Sequence, residues 1–379
     1  MRNIVKPIIL VCALFIGAVQ AEIVFNGFAS VVGGVTTSSD ETLYGYDDTF
    51  DFETGSLFAL QASSDLGNKL GVTVQVLSRG ENDWDPDFEW AYFSYDASDN
   101  LRLLAGRQRA PFYMYSDFLD VSYAYHWISP PPGVYSLAFD TFDGVAAIYS
   151  GQIGSFDGVF HFSYGGNDDE ITLLGETTNP EFNDFVGASL TLTKNWLTLR
   201  AGYFQAEVNI PVAAIQPLIS GWQQAGFSDI ADEIELAKDT GEFYEFGFQI
   251  DYEDFLIVGE YTDLILDEMA LGDQESFYIM AGKRFNEFLL HFTYGEDSNT
   301  QDNYVAHIPK GLDPALDFLI ASTEAVIESQ KVEQSYFTLG LRWDFHDSAA
   351  LKFEYTDFSD DLDGANDAGL FRAAIVSVF

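Results

Sequence analysis

Cysteine and positive charge are both scarce in this chain. Its one cysteine, Cys12, lies near the N-terminus, so the remainder has no thiol for a disulfide, a metal site or nucleophilic catalysis. Only 17 Lys and Arg residues oppose 60 Asp and Glu residues, and the formal net charge is −43. A chain this acidic would repel nucleic acid, and we expect no nucleic-acid partner.

Long apolar runs are also missing beyond the N-terminal segment. Residues 1–21 contain Arg2 and Lys6, then an apolar run over residues 8–17, then the sequence Val19-Gln20-Ala21. This order is typical of a secretory signal peptide and predicts that residues 1–21 are cleaved. The apolar run is too short for a retained transmembrane helix, which needs about 20 residues.

Residues 22–379, which we expect to form a single domain, are rich in aromatic side chains. The whole chain has 34 Phe, 20 Tyr and 6 Trp and is 47% hydrophobic. Disordered acidic chains are poor in aromatic residues, so this composition predicts a folded protein. No apolar run after residue 21 is long enough to form a membrane-spanning helix. If the domain lies in a membrane, it must therefore cross as the strands of a closed barrel.

Apolar and polar residues alternate along segments of about ten residues, which is the period of a β-strand. Between residues 336 and 345 one parity is apolar, with Phe337, Leu339, Leu341, Trp343 and Phe345, and the other is Tyr336, Thr338, Gly340, Arg342 and Asp344. Residues 72–79, 197–202 and 351–356 repeat the pattern. A soluble β-sandwich, whose apolar parity faces a core, would show the same alternation.

The lengths of the connections separate these alternatives. Short connections near residues 66–69, 96–100, 151–154, 194–195, 252–254, 286–287 and 346–348 alternate with long ones near 34–52, 80–86, 108–142, 166–182, 207–241, 264–275, 296–332 and 359–367. This alternation predicts an all-β, up-and-down antiparallel barrel of about sixteen strands, whereas a Greek-key sandwich would mix its connections. Within the long connections, residues 211–238 and 313–330 carry apolar residues at helical spacing and predict helices over the mouth or against a neighbouring subunit.

The C-terminal strand ends in an aromatic residue, Phe379. Counting back by two from it gives Ser377, Ile375, Ala373 and Phe371. This ending resembles the signal by which barrels of the bacterial outer membrane are recognised for assembly, although Ser377 departs from the usual apolar pattern. We therefore identify Phe379 as a candidate assembly signal.

Across residues 22–379 the chain resembles the trimeric general porins of Gram-negative bacteria. The segment Leu104-Ala105-Gly106-Arg107-Gln108, followed by Pro111, is similar to the end of the fifth strand in that family, and residues 143–149 resemble its sixth strand. The resemblance implies a homotrimer in the outer membrane, surrounded by lipid and lipopolysaccharide, that lets ions and small hydrophilic solutes diffuse through a water-filled pore.

The resemblance also implies that the third long loop folds into the barrel, where acidic loop residues face basic wall residues. The loop candidates are Asp117 and Asp120, and the wall candidates are Arg79, Arg102, Arg107, Arg109, Arg200 and Arg372. Opposed charges across a narrow passage focus a transverse field that favours polar solutes. If Arg102 faces the lumen, strand alternation turns Arg107 and Arg109 toward lipid, so we expect a bulge or strand end near Gly106.

Two other functions remain open from the sequence. A barrel with a plugged lumen could act as an adhesin or surface receptor, and a substrate-specific channel is suggested by the aromatic residues of the third loop, Tyr113, Tyr115, Tyr123, Tyr125, Trp127 and Tyr135. Acidic clusters at residues 83–87, 168–170 and 360–364 could bind divalent cations, but their spacing matches no EF-hand, and we interpret them as solvated loops. Excess acidic charge on the loops predicts a modest cation preference.

Catalysis has little support in the sequence. The five histidines are scattered, and no nucleophile is paired with a base. We expect no enzymatic activity, no cofactor and no resident metal.

Overall fold

The structure is a computed structural model, and it describes residues 22–173, 175–266, 271–301, 303–311 and 313–379, with the side chains of residues 237–239 and 300 left out. The predicted signal peptide, residues 1–21, lies outside the described residues. The strands are β1 (Ile23–Thr36), β2 (Leu57–Gly67), β3 (Leu70–Arg79), β4 (Pro86–Asp96), β5 (Leu101–Arg109), β6 (Thr141–Ile153), β7 (Phe156–Asn167), β8 (Ile171–Leu173), β9 (Glu176–Thr178), β10 (Glu181–Lys194), β11 (Leu197–Asn209), β12 (Ala237–Tyr252), β13 (Phe255–Leu266), β14 (Asp273–Phe285), β15 (Phe288–Thr300), β16 (Glu333–His346), β17 (Ala349–Asp360) and β18 (Ala368–Val378). The α-helices are α1 (Gln216–Ala225), α2 (Ser228–Ile234) and α3 (Pro314–Ser329), and single 3₁₀ turns occur at Gly80–Asn82, Ser116–Phe118, Ser122–Ala124, Ala213–Ile215 and Gly364–Asn366.

Sixteen of these strands form one closed antiparallel barrel, and β8 and β9 form a separate small hairpin. The barrel closes where β1 pairs with β18, with Val31 opposite Ile375. Beyond β18, Phe379 exchanges two backbone hydrogen bonds with Gly27, at 2.8 and 2.9 Å. Closure leaves no unpaired edge, which is the condition for crossing lipid with strands. The predicted fold and strand number are confirmed.

Alternation along each strand separates a lumen face from an outer face. In β16, Leu339 is 50% exposed on the outside, whereas Thr338 and Arg342 are buried within the barrel. The outer face of β18 likewise exposes Phe371 and Ile375. An apolar outer surface on a closed barrel is the surface that hydrocarbon chains cover, and a soluble sandwich does not present one.

One end of the barrel carries turns of two to four residues and the other carries the long loops. Asn68, Asn195 and Asn286 open three of the two-residue turns with positive φ angles of 51°, 53° and 56°. Asparagine tolerates this left-handed conformation, which tight hairpin turns require. The predicted alternation of short and long connections is therefore present.

Helices occur in both long connections where they were predicted. Asp313 caps α3 by accepting a hydrogen bond from the backbone N–H of Ala315 at 2.8 Å. The indole Nε1 of Trp222 in α1 donates to the hydroxyl of Thr323 in α3 at 2.8 Å, and Trp222 is fully buried. The helices thus pack on one another at the long-loop end. Among the described residues, no helix is both long and apolar enough to cross a membrane.

Candidate pore constriction

The third loop, residues 110–140, folds into the barrel and contacts opposite walls. Its backbone N–H groups at Met114 and Ile128 donate to Glu260 in β13 and Glu354 in β17, at 2.8 and 2.7 Å. The indole of Trp127 donates to Thr293 in β15 at 2.8 Å. These bonds satisfy loop groups that would otherwise be buried without partners. The loop therefore crosses the lumen and narrows it, as the resemblance implies.

Asp120 lies in a cluster of five charged side chains where the loop meets the β3–β5 wall. Arg79 binds Glu89 at 2.7 Å and Asp120 at 2.8 Å, each through one guanidinium nitrogen. Arg109 binds Glu89 at 3.1 Å and also contacts Asp120 and Asp140. Only 4% of the Arg109 side chain is exposed, so its charge depends on these carboxylates for compensation. We call these five residues the arginine–carboxylate cluster.

The cluster keeps Asp120 ionised. Burial by itself raises the pKa of this carboxyl, but the charges of Arg109 and Arg79 and the hydrogen bonds from both lower it below its ordinary value. Asp120 therefore holds its negative charge at neutral pH between two wall arginines.

Arg107 and Arg109 share a parity but lie on different sides of the wall. Arg107 keeps the outward parity at the long-loop rim, where its Nε donates to the carbonyl of Phe88 at 2.8 Å and its Nη1 lies 3.1 Å from Asp143. It also contacts Asp169. Arg109 lies beyond the end of the β4–β5 pairing, which stops at Arg107, and its side chain is buried inside the barrel.

A β-bulge lies in the neighbouring strand, β4. The register of β5 with β6 is regular through Arg109, whereas the register of β3 with β4 shifts between Gln75 and Val76. That shift leaves Glu89 as the extra residue, and it points at Arg79 and Arg109. The sequence predicts a bulge or a strand end near Gly106. The pairing of β5 with β4 does end at Arg107, and Gly106 itself has a φ of 128°, whereas the bulge lies in β4 and supplies a carboxylate to the cluster.

Gly106 is required for the close approach of β5 to β4. Its φ is 128°, and a Cβ at this position would overlap the carbonyl oxygen of Ala91. We predict that Gly106→Ala lowers the free energy of unfolding by about 2 kcal/mol, measured by denaturant titration in lipid vesicles. Gly154→Ala is the control, because Gly154 also has a positive φ, 64°, but nothing lies within 4 Å of the position that a Cβ would occupy. An equal decrease in the free energy of unfolding in both variants would show that the close contact with Ala91 does not contribute to the effect of Gly106→Ala.

Arg342 and Lys352 hold the middle of the third loop, and neither was among the predicted site residues. Lys352 is 1% exposed, and its Nζ donates to the carbonyl of Tyr125 at 2.9 Å and to the carbonyls of Ser122 and Trp127. Arg342 donates to the Tyr125 carbonyl at 2.6 Å. Both residues lie on the lumen parity of β16 and β17, and this parity was the sequence signal that could have identified them.

Two predicted wall arginines bind the loop beside carboxylates of the wall. Arg372 lies 2.8 Å from Glu354 and donates to the hydroxyl of Ser129 in the loop at 2.9 Å. Arg200 lies 3.2 Å from Glu245 and donates to the carbonyl of Pro111. Arg372 and Arg200 are thus each paired with a wall carboxylate and bound to the loop.

Glu260 is a further anchor that sequence reasoning missed. Its carboxylate accepts hydrogen bonds from the N–H of Met114 at 2.8 Å, the hydroxyl of Tyr135 at 2.7 Å and the hydroxyl of Tyr278 at 3.0 Å. A carboxylate with three donors is well satisfied despite its burial. The alternation of β13 places Glu260 on the lumen face, but only the fold shows that the loop reaches it.

Three predicted site residues, Arg102, Arg107 and Asp117, join neither the cluster nor the other contacts that hold the loop to the wall. Arg102 pairs with Asp96 at 2.6 Å beside the turn between β4 and β5, at the short-turn end. Arg107 lies on the rim, and Asp117 is exposed on the third loop. We therefore leave these three residues out of the proposed constriction.

The third loop leaves the two sides of the lumen different in character. On the side of β1 and β18, a cavity of 280 Å³ separates the loop from the wall and the first loop, and its charged lining residues are Arg79, Glu81, Asp120 and Arg372. On the side of β10–β12, the space is filled by packed rings, namely Phe112, Phe185, Phe204 and Phe243. Within the described residues, no group of three or more His, Cys, Asp or Glu side chains is arranged to hold a metal ion.

Several solved structures are similar in fold to this chain. The outer membrane channel DcaP of Acinetobacter baumannii matches with a TM-score of 0.61 and 12% identity over 95% of this chain and 97% of its own. The anion-selective porin from Comamonas acidovorans matches with a TM-score of 0.59 and 13% identity over 95% of this chain and 100% of its own. OmpT of Vibrio cholerae in its trimer form matches with a TM-score of 0.58 and 12% identity over 95% of this chain and 99% of its own. No curated protein matches the chain by sequence.

The sequence matches a family model as well as a fold. The model described as Gram-negative porin aligns with residues 9–364, nearly the whole chain. This match agrees with the closed sixteen-stranded barrel. The chain therefore belongs to the Gram-negative porins and is an outer-membrane channel for passive diffusion.

Proposed function

We propose that the charged cavity between the third loop and the β1–β18 wall is the constriction of a general diffusion pore with a modest cation preference. Arg79 and Arg372 are its basic lining residues, and Asp120 is its acidic loop residue. Buried Arg109 contacts Asp120 from behind the cavity, and Arg200 binds the loop from the opposite wall. The observation that carries the proposal is the pairing of Asp120 with Arg79 and Arg109 beside this cavity. Charges fixed on both sides of a narrow passage orient water and favour ions and small hydrophilic solutes.

The cation preference rests on the balance of charge along the path. The arginine–carboxylate cluster contains two guanidinium groups and three carboxyl groups, so it presents no excess of positive charge. The chain has a formal net charge of −43, and its acidic clusters lie in the long loops at the mouth. An acidic mouth raises the local concentration of cations.

Single-channel recording in a planar bilayer under a KCl gradient tests both parts of the proposal. We expect stepwise conductance and a reversal potential of the sign for K⁺ over Cl⁻. The preference should weaken between 0.1 and 1 M KCl, because the screening length falls from about 10 to about 3 Å. Absence of conductance would favour a plugged barrel, and an anion-selective reversal potential would contradict the charge argument.

The aromatic residues of the third loop support general diffusion over a dedicated substrate site. Tyr113, Tyr115 and Trp127 are buried, and their polar groups bond to the loop or the wall. Their rings therefore serve packing, which rigidifies the loop. In a liposome-swelling assay, rates should fall smoothly with solute size across sugars and amino acids, whereas a single accelerated solute class would indicate a specific channel.

We also propose that the protein is a homotrimer embedded in outer-membrane lipid and lipopolysaccharide. The trimer form of OmpT from Vibrio cholerae supports this, as does the exposed apolar outer face. Native mass spectrometry of the detergent-extracted protein should give three copies per particle. A monomer that conducts ions would refute the assembly and leave the pore intact.

A further inference from the structure

We propose that a second, apolar cavity at the extracellular mouth binds a small uncharged aromatic molecule that carries a hydrogen-bond donor. This cavity has a volume of 250 Å³ and lies at the long-loop end, apart from the charged constriction. Its walls come from the end of the third loop, the β8 strand and the long-loop ends of β10–β13, with lining residues that include Phe139, Leu173, Phe182, Val208, Leu264 and Leu266. Diffusion of hydrophilic solutes makes no use of it, so the inference does not rest on the proposed constriction.

The floor of the cavity is a set of rings already locked together. Phe112 packs edge to face against Phe204, Phe243 and Phe185, with centroid distances of 5.0, 5.5 and 5.6 Å. Phe139 lies 4.5 Å from Phe182 by the same measure. A preformed aromatic pocket needs little ordering when a ligand arrives, and edge-to-face packing offers a further ring the same contacts.

The chemistry of the lining selects an uncharged ligand. None of the described residues that line the cavity carries a charge. A cationic ligand would lose its hydration without gaining a partner, and an anionic one would also meet the acidic loops. The volume is slightly below the roughly 300 to 1,000 Å³ typical of drug-sized ligands, which limits the occupant to one or two rings.

Among the polar side chains that line the cavity, which include Ser136, Gln205, Gln274 and Gln330, Asn299 has a buried oxygen that explains why the ligand should carry a hydrogen-bond donor. The carboxamide oxygen of Asn299 is buried and accepts no hydrogen bond from any described residue, whereas its nitrogen lies 3.4 Å from the carbonyl of Gly272. A buried acceptor without a donor is costly, and a hydroxyl or amino group on the ligand would satisfy it. The ligand class is therefore that of phenols and aromatic amines.

Fluorescence titration of the full-length mature protein in lipid nanodiscs with 2-naphthol tests this site. Partition into lipid does not saturate, so binding to the cavity appears as a saturable component with one site per chain. Leu271→Asp, at the cavity wall, should weaken that component at least tenfold, because it places a charge beside the bound ring. The matched control is Leu362→Asp in the last loop, an exposed position away from the cavity, where affinity should be unchanged.

A second variant tests the role of the donor. Asn299→Leu should weaken 2-naphthol about tenfold and leave naphthalene, which has no hydroxyl, unaffected. Unchanged single-channel conductance in each variant shows that the barrel has folded. Absence of a saturable component in the wild type, or equal affinity in wild type and Leu271→Asp, would overturn the proposal without touching the constriction.

Discussion

Replacing Asp120 by Asn lowers the free energy of unfolding of the barrel by about 3 kcal/mol, because it removes a charge that compensates one buried and one partly buried guanidinium group. Arg79 is 2.8 Å from this carboxylate, and Arg109, with 4% of its side chain exposed, contacts it directly. Asparagine keeps the shape of the side chain, so the loss reports charge and not a cavity. Denaturant titration in lipid vesicles measures the difference.

The control for Asp120→Asn lies three residues earlier in the same loop. Asp117 is exposed, so Asp117→Asn should change the unfolding free energy by less than about 0.5 kcal/mol. Equal stabilities of both variants and the wild type would show that the cluster is not held by charge.

The effect of Asp120→Asn should depend on pH in a defined direction. Because the pKa of Asp120 is lowered in the folded protein, its contribution is fully present above the unfolded pKa of about 3.9 and is lost as pH falls through the lower folded value. Wild type and variant should therefore converge in strong acid. A difference that grows on acidification would contradict the lowered pKa.

The same substitution should change the current through the pore. Without the Asp120 charge, Arg79 and Arg109 present more positive potential to the cavity. We expect the reversal potential under a KCl gradient to shift toward Cl⁻. An unchanged reversal potential would place Asp120 outside the conduction path, and a shift toward K⁺ would contradict the charge argument.

The barrel could be predicted from the sequence because each strand obeys a local rule. Leu339 faces out and Thr338 faces in because successive side chains of a β-strand point to opposite faces of the sheet. Turn lengths are local too, since the Asn at 68, 195 and 286 specifies a tight hairpin without reference to distant residues. The assembly role of Phe379 stays a prediction.

The constriction could be predicted only in outline, because its geometry depends on contacts between distant segments. Arg107 and Arg109 have the same parity in β5, yet they lie on opposite sides of the wall. The pairing of β5 with β4 ends at Arg107, so Arg109 has no partner in β4. Glu89 enters the cluster through a bulge that alternation along β4 does not reveal. Similarly, the sequence identifies Lys352 only as a lumen-facing residue. Its role in holding the loop depends on a contact with Trp127, which is 225 residues away in sequence.

Replacing Lys352 by Met should free the middle of the third loop and lower the unfolding free energy by about 3 kcal/mol. Methionine preserves the length of the side chain but removes the ammonium group that joins the carbonyls of Ser122, Tyr125 and Trp127 to the wall. Each buried carbonyl left without a donor costs about 1 to 3 kcal/mol, and water in the lumen offsets part of the sum.

The current through Lys352→Met should separate anchoring of the loop from simple loss of charge. A loop that moves on the microsecond-to-millisecond timescale makes the open current noisy and, on average, larger, because the passage beside Tyr125 and Ser122 widens when they leave the wall. Lys331→Met removes an exposed lysine paired with Glu328 at 2.7 Å, and such a surface pair contributes at most about 1 kcal/mol. The open-channel current of Lys331→Met should therefore show no more noise than that of the wild type. If Lys352→Met shows no added current noise and an unchanged conductance, the hydrogen bonds of Arg342 and Glu260 to the loop are sufficient to fix it. Lys352 would then act only through its charge.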